Sequence, residues 1–401
     1  MTPAVDPIVI CAAKRTPIGA FCGSTKSLKA AELGAAAIRA AIETAGLAPE
    51  QVNEVLMGCV LSAGQGQAPA RQAARGAALP DHVGATTINK VCGSGMKAIM
   101  MGCDLLTLNR ADVVLAGGME SMSNAPFLLP EMRSGRKAGA SAVLDHMMHD
   151  GLEDAYDAGR PMGSFGEAAV EKYGFTRAEQ DAFAIETLKR AQAAQASGAF
   201  DDEIVELKVP TRKGEVVISQ DEKPSMVDPA KIPNLRPAFQ TDGTITAASA
   251  SANADGAAAL VLTRQSFAHA EGLPVLATIT AQASHAQDPA WYTTAPIPAI
   301  EQLLERAGWQ ADDVDLWEIN EAFAVVAMAA AKDIGFPRDK LNVNGGACAL
   351  GHPIGATGAR LVVTLCHALA KRGLTRGVAA LCIGGGEATA IAVELNTKEE
   401  N

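Results

Sequence analysis

Two segments of the sequence follow one pattern: IRAAIETAGLAPEQVNEVLMG at residues 38–58 and IEQLLERAGWQADDVDLWEIN at residues 300–320. They align without a gap at an offset of 262 residues. In each segment, apolar residues at helical spacing end at a glycine, Gly46 or Gly308, and glycine is the residue that most often closes a helix. A turn and a short apolar stretch follow in both. Each segment therefore predicts a helix, a turn and a buried strand.

The correspondence continues downstream of both segments. The sequence CGSG at Cys92 leads into an apolar run with helical spacing, and HPIG at His352 leads into another at an offset of 260 residues. A strand-like stretch that ends in glycines comes next in both places, at residues 112–118 and 378–386. Three landmarks in the same order indicate a duplicated half. Since each half alternates strands with helices, we expect an α/β fold with a mostly parallel sheet in each half.

Residues 121–250 have no counterpart in the repeat and are richer in proline, charge and loop signals. One helix is predicted inside them, at residues 177–196, with Thr176 as its cap and Glu179 completing a capping box. The chain is therefore divided into three parts. They are an N-terminal half (residues 1–120, completed by about 251–270), an inserted loop domain (121–250) and a C-terminal half (271–401).

Composition narrows the class of protein. Of 401 residues, 48% are hydrophobic and 20% charged, which allows a large buried core and argues against disorder. The net charge of −11 makes nucleic acid a poor partner, although an anionic ligand can bind where a few Lys or Arg residues gather.

The location of the protein is predicted from what the sequence lacks. It has no stretch of 18 apolar residues that would suggest a membrane span, and its start lacks the pattern of a signal peptide. The eight cysteines form neither a Cys-x-x-Cys pair nor a zinc-site spacing. We therefore expect a cytoplasmic protein with reduced thiols and no membrane partner.

The first motif that could carry chemistry is NKVCGSG, which contains Cys92. A cysteine at a helix N-terminus lies near the positive end of the helix dipole, which favours its thiolate. The flanking glycines would let a substrate approach the backbone closely. The alternative is a buried structural cysteine at a tight turn.

The second motif is GHPIGATG at residues 351–358. A histidine such as His352 can take a proton from a cysteine and can hydrogen-bond a developing oxyanion. A single histidine is often only structural, but the repeat pairs His352 with Cys92. Two equivalent helix N-termini can face one cleft, which favours a catalytic function.

Two further motifs end predicted strands of the second half. In CIGGG, Cys382 could reach the same cleft and the glycine N–H groups could form an oxyanion hole, unless Cys382 is simply a small packing residue. In NEAFA, Asn320 could anchor a water or polarise a carbonyl. The alternative for Asn320 is an ordinary helix cap.

Taken together and in order, six motifs resemble the thiolase family over essentially the whole chain: CGSG, GGMESMS (residues 117–123), RPAFQTDGTITAASAS (236–251), NEAFA, GHPIGATGAR and CIGGG. The resemblance implies the thiolase fold, with two βαβαβαββ-type halves related by a pseudo-twofold axis in a layered αβαβα arrangement and a loop domain between them. It also implies a homo-oligomer, a dimer or a tetramer built from dimers.

The resemblance also implies roles for individual residues. Cys92 would be the nucleophile that takes the acyl group, and His352 would activate it. Cys382 would remove the α-proton of the second substrate, while Asn320 would hold a water in one oxyanion hole. The backbone N–H groups of Cys92 and Gly384 would form the other. The reaction implied is the reversible ping-pong Claisen condensation of two acetyl-CoA to acetoacetyl-CoA and CoA, which needs no metal or redox cofactor.

By the same resemblance, contacts to coenzyme A are expected from Met162, Lys223, Phe239, Ala247, Ser251, Ala322 and Phe323. Lys223 would meet a phosphate, and the others would line the pantetheine path. Three departures concern the acyl chain: Pro161 where short-chain biosynthetic thiolases have His, the segment WYTT at residues 291–294, and Cys348 where an aliphatic residue is usual. Tyr292 falls where some acetoacetyl-CoA thiolases have an aromatic residue.

These departures leave three alternatives beside the short-chain enzyme of fatty-acid metabolism. One is a broader-range 3-ketoacyl-CoA thiolase of β-oxidation. Another is a decarboxylating ketoacyl synthase on the same fold, which would not need Cys382 as a base. The third is a CoA-binding protein on an inactive thiolase fold, against which the presence of Cys92 and His352 argues.

Overall fold

The computed structural model describes residues 6–212 and 214–395. The strands are β1 (Ile8–Arg15), β2 (Gly19–Ala20), β3 (Glu54–Gly58), β4 (Gly84–Ile88), β5 (Val113–Ser121), β6 (Phe127–Leu128), β7 (Leu144–Asp145), β8 (Leu207–Thr211), β9 (Gly214–Ile218), β10 (Ala254–Arg264), β11 (Ala277–Ala286), β12 (Leu316–Ile319), β13 (Arg376–Ile383) and β14 (Glu387–Glu394). The α-helices are α1 (Ala30–Ala45), α2 (Pro69–Gly76), α3 (Ser94–Thr107), α4 (Gly163–Tyr173), α5 (Arg177–Ala196), α6 (Lys223–Met226), α7 (Gln265–Glu271), α8 (Pro296–Ala307), α9 (Ala324–Ile334), α10 (Ala347–Leu350) and α11 (Thr357–Arg372).

The main sheet has the strand order β12-β13-β14-β11-β1-β10-β5-β3-β4, with β2 paired to β10. The order β3, β5, β10, β1 on one side matches β12, β13, β14, β11 on the other. The two sets meet where β1 pairs with β11, at Val9 with Thr278 and Ile10 with Ala277. The duplicated halves predicted from the repeat are confirmed by this order.

The prediction of a mostly parallel sheet in each half is wrong, because each half is mixed. Strand β3 is parallel to β4 and β5, and β12 is parallel to β13. The remaining pairs within the halves are antiparallel. In the second half the reason is local: β13 returns directly into β14 through a tight turn in which Gly385 and Gly386 have φ of 92° and 90°. A connection of that length can join only antiparallel strands.

The layers follow from which helix faces are apolar. Helices α3 and α11 pack together between the halves, where Met96 and Ile99 share one core with Leu361 and Leu365. Helices α1 and α2 cover the first half on its other side, and α8 and α9 cover the second half. Most sheet strands are therefore buried on both faces. This is the αβαβα layering expected from the resemblance.

The inserted segment contains α4, α5 and α6, and it packs on the second half through α5 and α10. The predicted capping box at the start of α5 is confirmed, since the Thr176 N–H donates to Glu179 Oε2 at 2.6 Å. Gly46 and Gly308 end α1 and α8 with left-handed φ of 65° and 69°, as the repeat predicted. The division of the chain at residues 120, 250 and 270 stays a prediction.

Candidate active site

Cys92 lies in the turn between β4 and α3, two residues before the helix begins. The turn is held by the buried Ser94 hydroxyl, which accepts from the Lys90 N–H at 2.8 Å and donates to the Val91 carbonyl at 2.7 Å. Val91 has φ of 47°, a left-handed conformation that is unfavourable for a β-branched residue. Such strain is typical of functional sites, and here it presents the half-buried Cys92 at the end of the sheet.

Burial raises the pKa of the Cys92 thiol to about 11, although the backbone N–H groups of Gly384 and Cys92 itself hydrogen-bond the sulfur and lower it. With its pKa raised, the thiol is protonated in the resting protein at neutral pH. The favourable effect of the helix dipole stays a prediction. The thiol needs a base. The same two N–H groups converge on one point, which is the arrangement expected of an oxyanion hole.

His352 is the candidate for that base. The backbone N–H of His352 donates to the Ala252 carbonyl at 2.8 Å, and the imidazole ring is buried. Nδ1 lies 2.7 Å from the Thr357 hydroxyl, and Nε2 has no hydrogen-bond partner within the described residues. Burial, assisted by the nearby charge of Arg360, lowers the pKa of His352 to about 3. The imidazole is therefore neutral, with one ring nitrogen available to accept a proton.

Cys382 is the penultimate residue of β13 and is fully buried. Burial first, and then the charge of Cys92, raises its pKa well above the ordinary value. The electrostatic interaction between the two sulfurs places both in one site. Gly384 comes two residues later, and a Cβ there would lie 3.4 Å from the Met162 methyl group and 3.8 Å from Val91. The Cys382 loop therefore lies against the turn that carries Cys92.

Asn320 follows β12 and is fully buried, with its N–H donating to the Ala380 carbonyl at 3.0 Å. The helix that comes next, α9, begins at Ala324 with Phe323 as its cap, so the cap alternative for Asn320 is excluded. Neither the oxygen nor the nitrogen of its side-chain amide has a partner in the described part of the chain. Because a buried unpaired amide is costly, this position suits a water or a ligand oxygen.

A cavity of about 220 Å³ opens onto His352. Four of the residues predicted to contact coenzyme A line it: Met162, Phe239, Ser251 and Phe323. Its walls also include residues that sequence reasoning missed: Met148, Leu152, Gly163, Ala250 and Asn253. Met148 and Leu152 belong to a single five-residue π-helical turn, which has no periodicity by which it could have been found.

Lys223 and Ala247 line a second, mainly apolar cavity of about 270 Å³ together with Cys348. The Lys223 ammonium donates to the Cys348 carbonyl at 2.7 Å, and burial lowers the pKa of Lys223. The seventh predicted residue, Ala322, lines neither cavity. Its carbonyl accepts from the Ser251 N–H at 2.9 Å and so holds the segment that forms one wall of the first cavity.

Tyr292 is buried beside both thiols. Burial raises its pKa well above the ordinary value, and the charges of Cys382 and Cys92 raise it further. Its hydroxyl donates to the Met162 carbonyl at 3.0 Å, and its ring meets Phe165 edge to face. The departure noted in the sequence at residues 291–294 thus places a tyrosine beside the two thiols.

Two features are absent from residues 6–212 and 214–395. No group of three or more His, Cys, Asp or Glu side chains there could hold a metal ion. Over the same residues, every helix is too short or too polar to cross a membrane.

Comparison with known proteins gives the family of the chain. The thiolase N-terminal domain model matches residues 8–266, and the thiolase C-terminal domain model matches residues 273–395. The chain belongs to the thiolase family.

Individual relatives agree with the family match. An acetyl-CoA acetyltransferase of Allochromatium vinosum is 48% identical over 391 residues, 97% of this chain and 99% of that protein. One of Schizosaccharomyces pombe is 47% identical over 96% of this chain and 98% of its own length. The crystal structure of the Acat5 thiolase from Ascaris suum in complex with coenzyme A superimposes with a TM-score of 0.92 at 42% identity, covering 97% of this chain and 100% of that one.

Proposed function

We propose that the protein is an acetyl-CoA C-acetyltransferase, which condenses two acetyl-CoA to acetoacetyl-CoA and CoA and also catalyses the reverse thiolysis. The observation that carries the proposal is a pair of interacting thiols, Cys92 and Cys382, together with a neutral histidine that lines a cavity. His352 Nε2 is unpaired within the described residues. The names of the relatives described above support the choice of acetyl-CoA as substrate.

The first half-reaction transfers the acetyl group to the protein. His352 Nε2 takes the Cys92 proton, and the thiolate attacks the thioester carbonyl. The N–H groups of Cys92 and Gly384 stabilise the oxyanion that forms. When the C–S bond breaks, the proton held by His352 passes to the departing CoA sulfur, which leaves an acetylated Cys92 and a neutral histidine.

The second half-reaction forms the carbon–carbon bond. His352 first takes the Cys382 proton, and the Cys382 thiolate then removes the α-proton of a second acetyl-CoA. The protonated His352 and a water on Asn320 hold the thioester oxygen. A thiol whose pKa is raised by burial gives a strongly basic thiolate, which suits the weak acidity of this C–H bond. The carbon attacks acetyl-Cys92, and the expelled Cys92 sulfur takes the proton held by His352, which restores both thiols and the neutral imidazole. No electron is gained or lost, so the reaction requires no redox cofactor.

A broader-range 3-ketoacyl-CoA thiolase is the second candidate. The observation that favours it is Pro161, which lines the cavity where short-chain biosynthetic enzymes carry histidine. The buried Tyr292 at the acyl end favours the short-chain enzyme, because a large ring leaves less room for a longer chain.

The experiment that tests the proposal is thiolysis of acetoacetyl-CoA by free CoA, followed by the loss of enolate absorbance. Wild type is compared with Cys92→Ala and with Cys103→Ala, a buried cysteine on α3 that serves as control. We expect Cys92→Ala to lose about 10³-fold or more in kcat, because the covalent route is removed, and Cys103→Ala to stay active. A wild type that cleaves six- to eight-carbon substrates as fast as acetoacetyl-CoA would favour the second candidate.

We further propose a homo-oligomer, a tetramer built from dimers, in the cytoplasm. Five exposed large apolar side chains lie within one stretch of the inserted segment: Phe127, Leu129, Met132, Val143 and Tyr156. Exposed apolar side chains concentrated in one segment support burial against another copy of the chain. The eight unpaired thiols support a reducing compartment.

A further inference from the structure

Glu120, on β5 of the first half, has a fully buried side chain. Its carboxylate accepts three backbone N–H groups: Val60 at 3.0 Å, Leu61 at 3.1 Å and Gly355 at 2.9 Å. The Cys59 thiol adds a longer contact at 3.7 Å. Glu120 takes part in none of the catalytic steps described above. The reaction therefore does not explain why a carboxylate is buried here.

The three N–H donors come from both halves of the molecule. Val60 and Leu61 follow β3 in the first half, whereas Gly355 belongs to the turn of the second half that begins at His352. That turn is pressed against the first half. A Cβ on Gly355 would lie 2.6 Å from the Glu120 carboxylate, and one on Gly118 would lie 2.1 Å from the Gly355 carbonyl. One carboxylate therefore joins the His352 turn to the opposite half.

Keeping a charge at this place is costly. Burial raises the pKa of Glu120 to about 7, even though the three N–H groups and the Cys59 thiol lower it. Within the described residues, no hydrogen bond or ion pair joins Glu120 to a Lys, Arg or His side chain. The titratable groups that face it are the Cys59 and Cys92 thiols, and its charge raises the pKa of both.

We propose that Glu120 is a positioning residue for catalysis, whose carboxylate fixes the His352 turn over Cys92 through the Gly355 N–H. The ionised form fits the three N–H donors, since each of its oxygens can only accept. Protonation introduces an O–H donor among groups that all donate, so the anchor weakens as pH falls. The proposal rests on the proposed thiolase activity, which is therefore measured first.

The test compares Glu120→Gln with Glu167→Gln. Glu167 is a matched control, because it is also buried and accepts two backbone N–H groups, from Thr244 and Ile245 at 2.8 Å each, but it lies away from the His352 turn. We expect Glu120→Gln to lower kcat at least about tenfold with KM for CoA within about threefold, and Glu167→Gln to stay within about twofold of wild type.

A second readout separates positioning from general damage. The rate at which iodoacetamide alkylates Cys92 is measured against pH in a Cys22→Ser background, since Cys22 is exposed. Removing the Glu120 charge is expected to move the alkylation profile to lower pH by about half a unit, while turnover falls. Loss of folding would lower the melting temperature and slow turnover without that shift.

Cys59→Ala keeps the carboxylate and loses one of its donors, so it addresses the proposal even where Glu120→Gln does not fold. It is expected to move the acid limb of the kcat–pH profile, near pH 7 in wild type, to higher pH. A folded Glu120→Gln with kcat within twofold of wild type, or an acid limb that Cys59→Ala leaves in place, overturns the proposal. An inactive wild type tells against the proposed function instead, and the alkylation profile then decides for or against Glu120.

Discussion

His352, in the turn before α11, faces Thr357, the first residue of that helix, with Nδ1 of the imidazole 2.7 Å from the threonine hydroxyl. The hydroxyl also lies 3.0 Å from the Pro353 carbonyl, to which it can only donate. It must therefore accept from the imidazole, and this network places the proton on Nδ1. The lone pair is then on Nε2, the nitrogen without a partner in the described structure. One threonine thus selects the tautomer in which His352 can act as a base.

Thr357→Val should lower kcat for thiolysis by about 10- to 100-fold, because a catalytic histidine held in the wrong tautomer or rotation loses much of its efficiency. KM for CoA should change little, since Thr357 touches neither cavity. Thr357→Ser keeps the hydroxyl and serves as the control. Steady-state kinetics of the three proteins check this, and equal losses in the valine and serine variants would contradict the assignment.

Cys382→Ala should separate the two half-reactions. The variant keeps Cys92, His352 and both N–H groups of the oxyanion hole, so acetyl-CoA should still acetylate it. Condensation should fall by about 10²- to 10⁴-fold, the range that a general base contributes. Mass spectrometry of the intact protein after mixing with acetyl-CoA would show one added acetyl group, and its absence would place Cys382 in the first step instead.

Most of the fold could be predicted from the repeat in the sequence, because a glycine at a helix end and apolar periodicity are local signals. Strand β12 lies at the predicted strand directly before Asn320, and α1 and α8 end where Gly46 and Gly308 predicted. The direction of β10 and β14 was not predictable in this way. It depends on how a chain returns to the sheet, and periodicity is the same for a parallel and an antiparallel buried strand.

The candidate site was predictable only where residues stand in recognisable motifs. Cys92, His352, Cys382 and Asn320 were found in this way. The side chains of Met148 and Leu152 reach the cavity from a short turn without a pattern, so only the three-dimensional arrangement reveals them. The protonation state of Cys92 was not predictable for a related reason, since burial is a property of the folded chain and raises the pKa of this thiol.

Stability should depend on pH through Glu120. Its pKa is about 7 in the folded protein against an ordinary value of 4.5, so the folded state binds the proton more tightly than the unfolded state. A raised carboxyl pKa means that stability is lost as pH rises from about 4.5 through 7, by on the order of 3 kcal/mol for this group. His352 acts in the opposite direction, because its pKa is lowered to about 3 and stability is lost as pH falls below its ordinary 6.5.

The contribution of Glu120 can be isolated by difference. The free energy of unfolding is measured by urea titration at pH 5.5 and 8 for wild type, Glu120→Gln and Glu167→Gln. The free energy of unfolding of wild type minus that of Glu120→Gln should be smaller at pH 8 than at pH 5.5. The free energy of unfolding of Glu167→Gln should depend on pH as that of wild type does. Equal pH dependence in wild type and Glu120→Gln would mean that Glu120 does not titrate in this range.

Tyr292 should limit the length of the acyl chain. It is buried beside Cys92 and Cys382, and its hydroxyl holds the Met162 carbonyl at the cavity wall. Tyr292→Ala should raise the ratio of kcat/KM for six-carbon over four-carbon 3-ketoacyl-CoA by about tenfold, since one or two methylenes in an apolar pocket are worth about 1–3 kcal/mol. Tyr292→Phe keeps the ring and should leave the ratio near that of wild type. A ratio that does not change in Tyr292→Ala would mean that another wall of the cavity sets the chain length.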